Sequence, residues 1–300
     1  MGQWLKQKLS LRRALVWIAL STICTTGIGS TAFLYYSHHK EQRALDDHYY
    51  IVAVVQTGPD KEALPTSYLA ELLDLSVDRP TNLYRFDVKK GVKKLLGSPL
   101  IKNATIQKVI PGTLYIDYAL RTPVAFLGDY SNTAVDSEGY IIPFKPFFTP
   151  KRLPTLYVGA NHVEGNWNEH ASGPEVDLAL KLLHELSVEC LEKGITLLSI
   201  DTSNAFSASY GQREIVVTLE DQVQKENLGQ MTLCLWPTLL RLDTQHYQDG
   251  WKDYLLLRKQ LQKSIKHLVH DGENPVVTLS TVVVNLRISD IAFINKVTKK

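Results

Sequence analysis

The chain has 300 residues, of which 44% are hydrophobic and 21% charged, and its formal net charge is +2. The first 36 residues hold four cations and no acid, which leaves −2 for residues 37–300. This near-neutral balance argues against a nucleic-acid-binding protein, because phosphate binding needs a basic patch or stripe. The composition is that of an ordinary globular chain of one or two domains.

The three cysteines do not indicate a specific structural site. Cys24, Cys190 and Cys234 are too few for a disulfide framework or a zinc site. Cys190 and Cys234 either pair with each other or are buried free thiols, which their apolar neighbours favour.

Residues 14–36 form an uncharged run of 23 residues, and the four cations precede it. About 20 apolar residues cross the hydrocarbon core of a bilayer, and cations on a short flank keep that end in the cytoplasm. The run therefore predicts a single transmembrane helix between a cytoplasmic tail, 1–13, and an exterior portion that begins with a polar stalk, 37–48. Two alternatives remain: a signal peptide cleaved near residues 30–32, and lipidation of Cys24.

The next segment predicts a small α+β unit, from its hydrophobic periods and its turn residues. Strand-like residues 50–55 precede two helical patterns at 64–75 and 87–96. Strands at 104–109 and 113–119 then meet at the turn signal Pro111-Gly112. Such a unit packs two amphipathic helices on one face of a three-stranded sheet.

The remainder predicts a second, larger α+β unit. It opens with a hairpin at 134–142 and continues with helices at 174–191 and 249–269. Further strands are predicted at 195–200, 215–219, 233–242, 281–287 and 291–294. Strand register is least certain over residues 200–245.

Several motifs resemble the POTRA domain of the bacterial division proteins FtsQ and DivIB. The matching stretches are LYRFD at 83–87, LLGSPLIKNA at 95–104, PGTLYID at 111–117 and RTPVA at 121–125. AVDSEGYII at 134–142, LPTL at 153–156 and Leu286-Arg287 resemble parts of the family's following β domain. Two residues depart from the family pattern. Leu120 stands where the family commonly has glutamate, and Asn285 stands where it commonly has aspartate. The resemblance implies a POTRA domain at 49–122, a β domain at 123–295 and a short tail, 296–300.

The resemblance also implies a function. The chain is expected to be a non-enzymatic, single-pass scaffold of the bacterial inner membrane at the division site, with its C-terminal domains in the periplasm. It would recruit coiled-coil partners of the FtsB (DivIC) and FtsL type for septal peptidoglycan synthesis, and would need no cofactor or metal. Partner binding falls on the closing strands, at Arg287, Ile288, Ile291, Ala292, Phe293 and Ile294.

The amino-acid composition of the last predicted strand, 291–294, also favours partner binding there. Residues 291–294 are apolar and contain no lysine or proline, so at a sheet edge they would be unprotected against pairing with another chain. The alternative is that this strand is paired on both sides inside the domain.

Enzymatic chemistry has weaker support. No nucleophile elbow, phosphate-binding loop or dinucleotide fingerprint occurs. His267 and His270 could share a metal, but a third ligand is missing. Asp201 with Asp221, or Glu214 with Glu220, are the carboxylate pairs that a peptidoglycan hydrolase could use. A membrane-anchored POTRA-type export or assembly chaperone is the other alternative function.

Overall fold

The computed structural model describes residues 2–59, 61–159, 166–227, 230–266 and 276–296. The chain divides into two compact units, Met1–Leu96 with Asn103–Ala119, and Gly97–Lys102 with Leu120–Lys300. The architecture is mixed α+β with one long apolar helix at the N-terminus, so the predicted fold class is confirmed in these coarse terms.

The N-terminal helix α1 spans Gly2–Leu45 without a break. The stretch Arg13–Leu45 includes a window long and apolar enough to cross a membrane. Hydroxyl groups in this stretch donate to carbonyls one turn earlier, as Thr25 Oγ1 does to Ser21 at 2.8 Å, which satisfies them in an apolar environment. Residues 37–45, predicted as stalk, continue the helix because they contain no glycine or proline.

The small sheet has the predicted element order strand, helix, helix, strand, strand. The elements are β1 (Ala53–Thr57), α2 (Thr66–Leu72), α3 (Val88–Leu96), β2 (Ile101–Val109) and β3 (Thr113–Leu120). The strand order is β1-β3-β2, with β1 parallel to β3. Leu69 of α2 and Leu95 of α3 are fully buried, as is Leu114 of β3. The first strand begins three residues later than predicted, and α2 is shorter because its helix starts only after Pro65.

The second unit contains a ten-stranded sheet and two helices. The strands are β4 (Pro123–Leu127), β5 (Thr133–Asp136), β6 (Ile141–Pro143), β7 (Thr155–Tyr157), β8 (Ile195–Asp201), β9 (Ile215–Asn227), β10 (Gln230–Leu242), β11 (Val276–Thr278), β12 (Val282–Ile288) and β13 (Ile291–Lys296), and the helices are α4 (Pro174–Glu192) and α5 (Tyr247–Lys266). The order across the sheet is β13-β12-β10-β9-β8-β7-β4-β5-β6, and β11 pairs with β10 beside β12. Thus β13 and β6 are the two ends of this path, and the three-residue strand β11, which within the described residues pairs only with β10, lies off it.

The core of this unit lies on one face of the sheet, against α4 and α5. Alternate residues of the central strands are buried there, such as Val217 of β9, Leu240 of β10 and Val284 of β12. Leu186 of α4 and Tyr254 of α5 belong to the same cluster. The period of two along these strands is the pattern of a sheet with one face covered.

The largest difference from prediction is the hairpin of β9 and β10. Its ladder runs from Leu242 opposite Ile215 to Gln230 opposite Asn227, which is eight residues beyond the predicted strand 215–219 and three beyond the predicted strand 233–242. The short strand β11 was also not predicted. The predicted helix 249–269 begins at Tyr247, and its residues 267–269 lie outside the described part of the chain, as do residues 297–300 of the predicted tail.

Candidate functional site

The predicted partner-binding residues lie on the hairpin of β12 and β13 at one end of the large sheet. The two strands are antiparallel, with Val284 opposite Ile294 and Asn285 opposite Phe293. The connection turns through Asp290, whose φ of +62° lies in the left-handed region that aspartate tolerates. The register shifts between Asn285 and Ile288, so a bulge precedes the turn.

The strand β13 exposes apolar side chains on both of its faces. Phe293 and Ile294 point to opposite faces of a strand, yet they are 52% and 40% exposed. Ile291 and Ile288 are similarly exposed, and so is Ala292. The core therefore buries the inner strands more completely than this edge.

The opposite edge of the sheet is covered by the chain itself. The N–H of Ile141 in β6 donates to the carbonyl of Glu169 at 3.0 Å, and the N–H of Asn168 donates to the carbonyl of Ile141 at 3.0 Å. Tyr140 and His170 form a further antiparallel bridge, and Pro143 ends the strand. Proteins commonly protect an edge strand by covering it with another segment of the chain or by placing a proline in it.

The edge strand β2 of the small sheet is protected differently. It carries Lys102 and Lys108 among mostly polar, exposed side chains. Lysine on an edge disfavours pairing with another strand. Within the described ranges, no segment pairs with the outer side of β13, and its described side chains include no charged group.

Arg287 differs from the other predicted site residues because the domain itself holds it. Its Nη1 lies 3.3 Å from Oε2 of Glu214 and donates to the carbonyl of Gly211 at 3.1 Å. Its Nε and its backbone N–H both donate to the side-chain oxygen of Asn285. Glu214 also accepts from Nε of Arg241 at 2.6 Å, so one carboxylate joins two arginines.

Sequence reasoning missed this cluster. Glu214 was considered only as an acid for hydrolysis, and Arg241 was not singled out. Their contact joins positions 27 residues apart, so it becomes visible only when the register of β9 and β10 is known.

The other carboxylates considered for hydrolysis also make structural contacts. Asp221 is fully buried, accepts from Nε of Arg258 at 2.8 Å and accepts from the hydroxyl of Tyr254 at 3.3 Å. Burial, and then the charge of Asp221, raise the pKa of the Tyr254 hydroxyl. Asp201 accepts from the N–H and hydroxyl of Ser203.

The remaining sequence-level candidates concern metals and thiols. The described residues contain no group of three or more His, Cys, Asp or Glu placed to hold a metal, and His267 and His270 lie outside them. Cys190 and Cys234 are free and buried, and burial raises the pKa of the Cys190 thiol to about 12.

The exposed β13 edge is thus the part of the described chain with the clearest capacity to bind a partner. Its backbone groups, with apolar side chains on both faces, suit an extended segment of another chain. Comparison of the sequence with protein-family models and with curated proteins finds no match.

Proposed function

We propose that this protein is a membrane-anchored, non-catalytic scaffold of the FtsQ/DivIB type, which recruits a partner by strand addition at β13. The observation that carries the proposal is the contrast between the two edges of the large sheet. The chain covers β6 with its own backbone, whereas β13 ends the sheet with exposed apolar side chains.

Strand addition uses the physics of the sheet itself. A partner segment beside β13 would complete the backbone hydrogen bonds of the edge, and alternate side chains would pack against Phe293 and Ile294. Each opposed side-chain pair contributes roughly 0.2–1 kcal/mol, so several consecutive pairs are needed for stable binding. The six residues of β13 provide that length.

The POTRA part of the proposal is supported by the element order of the small sheet and by the positions of the motif residues. The block at 95–104 joins α3 to β2, and Pro111-Gly112 lies in the turn between β2 and β3. Arg121 and Asp136, from two separate motifs, contact each other directly. These contacts give the motif residues structural roles.

The proposed setting is the inner membrane of a bacterium. The helix α1 would anchor the chain with the N-terminus in the cytoplasm, and the small and large sheets would lie in the periplasm at the division site. The partners would be FtsB (DivIC) and FtsL-type coiled-coil proteins acting in septal peptidoglycan synthesis.

The test uses two proline substitutions in the full chain, Ala292→Pro and Phe293→Pro. Successive N–H groups of a strand point to opposite sides within the sheet, so one proline removes a donor to β12 and the other removes a donor on the free edge. Each variant is co-expressed with the FtsB- and FtsL-type proteins of the same organism. Co-purification and thermal unfolding are measured together.

We expect the free-edge variant to keep the melting temperature of the natural chain while losing the partner. The other variant should melt at a lower temperature, because it weakens the pairing of β13 with β12. If the variant with the unchanged melting temperature still recovers the partner at the natural level, strand addition at β13 is wrong.

A further inference from the structure

A groove lies where α1 leaves the apolar stretch, and we call it the juxtamembrane groove. Its volume is about 410 Å³, and it is lined by Tyr35, Tyr36, His39, Lys40, Arg43 and Tyr84. Three of these side chains are aromatic phenols, two are permanent cations and one is a histidine. This combination of aromatic and cationic groups suits an anionic ligand with an apolar part.

The spacing along α1 puts the cations on one side of the helix. Tyr36, Lys40 and Arg43 are four and seven residues apart, which places them on one face. Glu41 lies roughly 140° around the helix from Tyr36, at about 100° per residue, so this acid is directed away from the groove. The groove face is therefore cationic, although the segment as a whole is mixed.

Contacts with the following segment hold the groove in shape. The amide of Asn82 donates to the carbonyls of Arg43 at 2.9 Å and of Asp46 at 3.0 Å. The Arg43 guanidinium lies over the Tyr84 ring, 5.7 Å from its centroid, and donates to the Tyr84 hydroxyl at 3.3 Å. Tyr84 in turn packs edge-on against Tyr49. These contacts fix the end of α1 against the segment that holds Asn82 and Tyr84. The two sides of the groove are therefore in place before a ligand binds.

A further cation stands close by. Desolvation by burial, and then the positive charge of Lys40, lower the pKa of Lys108, while Asp87 opposes this effect. The positive charge of Lys40 therefore acts on Lys108, and this region holds a third cation besides the two that line the groove.

The depth of the groove matches the headgroup layer of a bilayer. Along α1, Lys40 and Arg43 lie about 6 Å and about 10 Å beyond Tyr36, at about 1.5 Å per residue. The polar layers of a bilayer are roughly 5–8 Å thick on each side of the hydrocarbon core. With the tyrosines at the interface, Lys40 is at phosphate level, and the backbone of Arg43 lies about 2 Å beyond the polar layer. The Arg43 side chain is tilted towards the N-terminus of the helix and can therefore reach back to the phosphate.

We propose that the juxtamembrane groove binds the phosphate group of an anionic phospholipid from the leaflet on the C-terminal side of α1. The acyl chains would lie along the apolar part of α1, and Lys40 and Arg43, which line the groove, would contact the phosphate, with Lys108 as a further positive charge nearby. This inference shares with the proposed function the premise that α1 crosses a membrane, but it does not depend on partner binding at β13.

The test uses the full chain in mild non-ionic detergent, and native mass spectrometry counts the bound lipids. Three ligands are titrated separately: a short-chain phosphatidylglycerol, phosphatidylcholine with the same acyl chains, and inorganic phosphate. The double variant Lys40→Gln/Lys108→Gln removes one cation that lines the groove and one that acts on it from nearby. Its matched control, Lys89→Gln/Lys93→Gln, removes two exposed lysines of α3 and the same total charge.

We expect phosphatidylglycerol to bind at least tenfold more tightly than phosphatidylcholine. The Lys40/Lys108 variant should bind phosphatidylglycerol about fivefold more weakly for each cation removed, whereas the control should keep the natural affinity. Arg43→Gln should weaken binding as well, and it provides a second measurement if the double variant unfolds.

Three outcomes would overturn the inference. They are equal affinity for the two lipids, equal weakening by the double variant and its control, and inorganic phosphate binding as tightly as phosphatidylglycerol. If alkaline pH extracts the natural chain from membranes, α1 does not cross the bilayer. That result would contradict both the lipid site and the membrane anchoring in the proposed function. Partner recovery without lipid selectivity would overturn the lipid site alone.

Discussion

Arg121 and Asp136 form a buried ion pair, with Nη1 of the arginine 2.8 Å from Oδ2 of the aspartate. Their side chains are only 9% and 4% exposed. The other carboxylate oxygen of Asp136 accepts the N–H groups of Glu138 and Tyr140, and the Arg121 guanidinium stacks 3.6 Å above the centre of the Tyr140 ring. The pair therefore ties the segment before β4 to the turn between β5 and β6.

The Arg121→Met substitution should destabilise the second unit by about 3 kcal/mol or more. It leaves the Asp136 carboxylate buried with its backbone donors but without its cation, and an unpaired buried charge is strongly destabilising. Denaturant unfolding of the full chain in detergent measures the change. The control is Lys102→Met, which breaks the exposed pair of Lys102 with Glu138 and should cost less than about 1 kcal/mol. Equal costs for the two variants would mean that the buried pair adds nothing beyond a surface contact.

The Leu95→Ala substitution should lower the free energy of unfolding by about 2–5 kcal/mol, because it opens a cavity at a fully buried position of α3. Leu96→Ala removes the same atoms from the next residue, which is 39% exposed, and should cost less than about 1 kcal/mol. Thermal unfolding of both variants gives the comparison. Similar losses at both positions would show that the burial of α3 is assigned to the wrong face.

The sequence predicted the existence of α3 well but not the centre of its buried face. Val88, Val92, Leu95 and Leu96 fall at positions i, i+4, i+7 and i+8 of the helical pattern 87–96, which predicts one apolar stripe, whereas the structure buries Gly91 with Leu95 and leaves Val92 half-buried. A Cβ on Gly91 would lie 2.8 Å from the Phe86 ring and 2.9 Å from Ile106. The close approach of Phe86 and Ile106 to Gly91 therefore decides which residues are central, and the helical period does not contain that information.

The long hairpin of β9 and β10 escaped prediction for a related reason. Gln222 and Gln224 are polar and exposed, so residues 220–227 do not resemble the interior of a strand. Pairing with β10 stabilises these residues, with Glu220 opposite Pro237 and Asn227 opposite Gln230. The predicted residues of β13 were located from their apolar composition. The covering of the opposite edge by residues 166–170 needed the structure.

The buried thiols should resist alkylation in the folded chain. With a Cys24→Ser background, a maleimide at pH 8 should label neither Cys190 nor Cys234, because both are buried. A pKa of about 12 for Cys190 also makes its thiolate scarce at that pH. Since this pKa is above the ordinary value of 9.0, stability associated with the neutral thiol is present below pH 9 and is lost as pH rises towards 12.

In denaturant without reductant, both thiols should react fully. The count of labelled cysteines by mass spectrometry distinguishes the alternatives left open by the sequence. A disulfide between Cys190 and Cys234 would leave both unlabelled until reductant is added, whereas rapid labelling of the folded chain would contradict their burial.

The last prediction separates the two kinds of residue in the proposed partner site. Arg287→Gln should lower stability by about 1 kcal/mol, because Glu214 loses one of its two cations, and partner recovery should change less than twofold. Phe293→Lys should leave stability within about 0.5 kcal/mol, since the side chain is half exposed, but it should reduce partner affinity at least tenfold. Unfolding and co-purification are measured on the same preparations. Loss of the partner with Arg287→Gln, together with full recovery with Phe293→Lys, would move the interface from the β13 edge to the face of the sheet that holds Arg287.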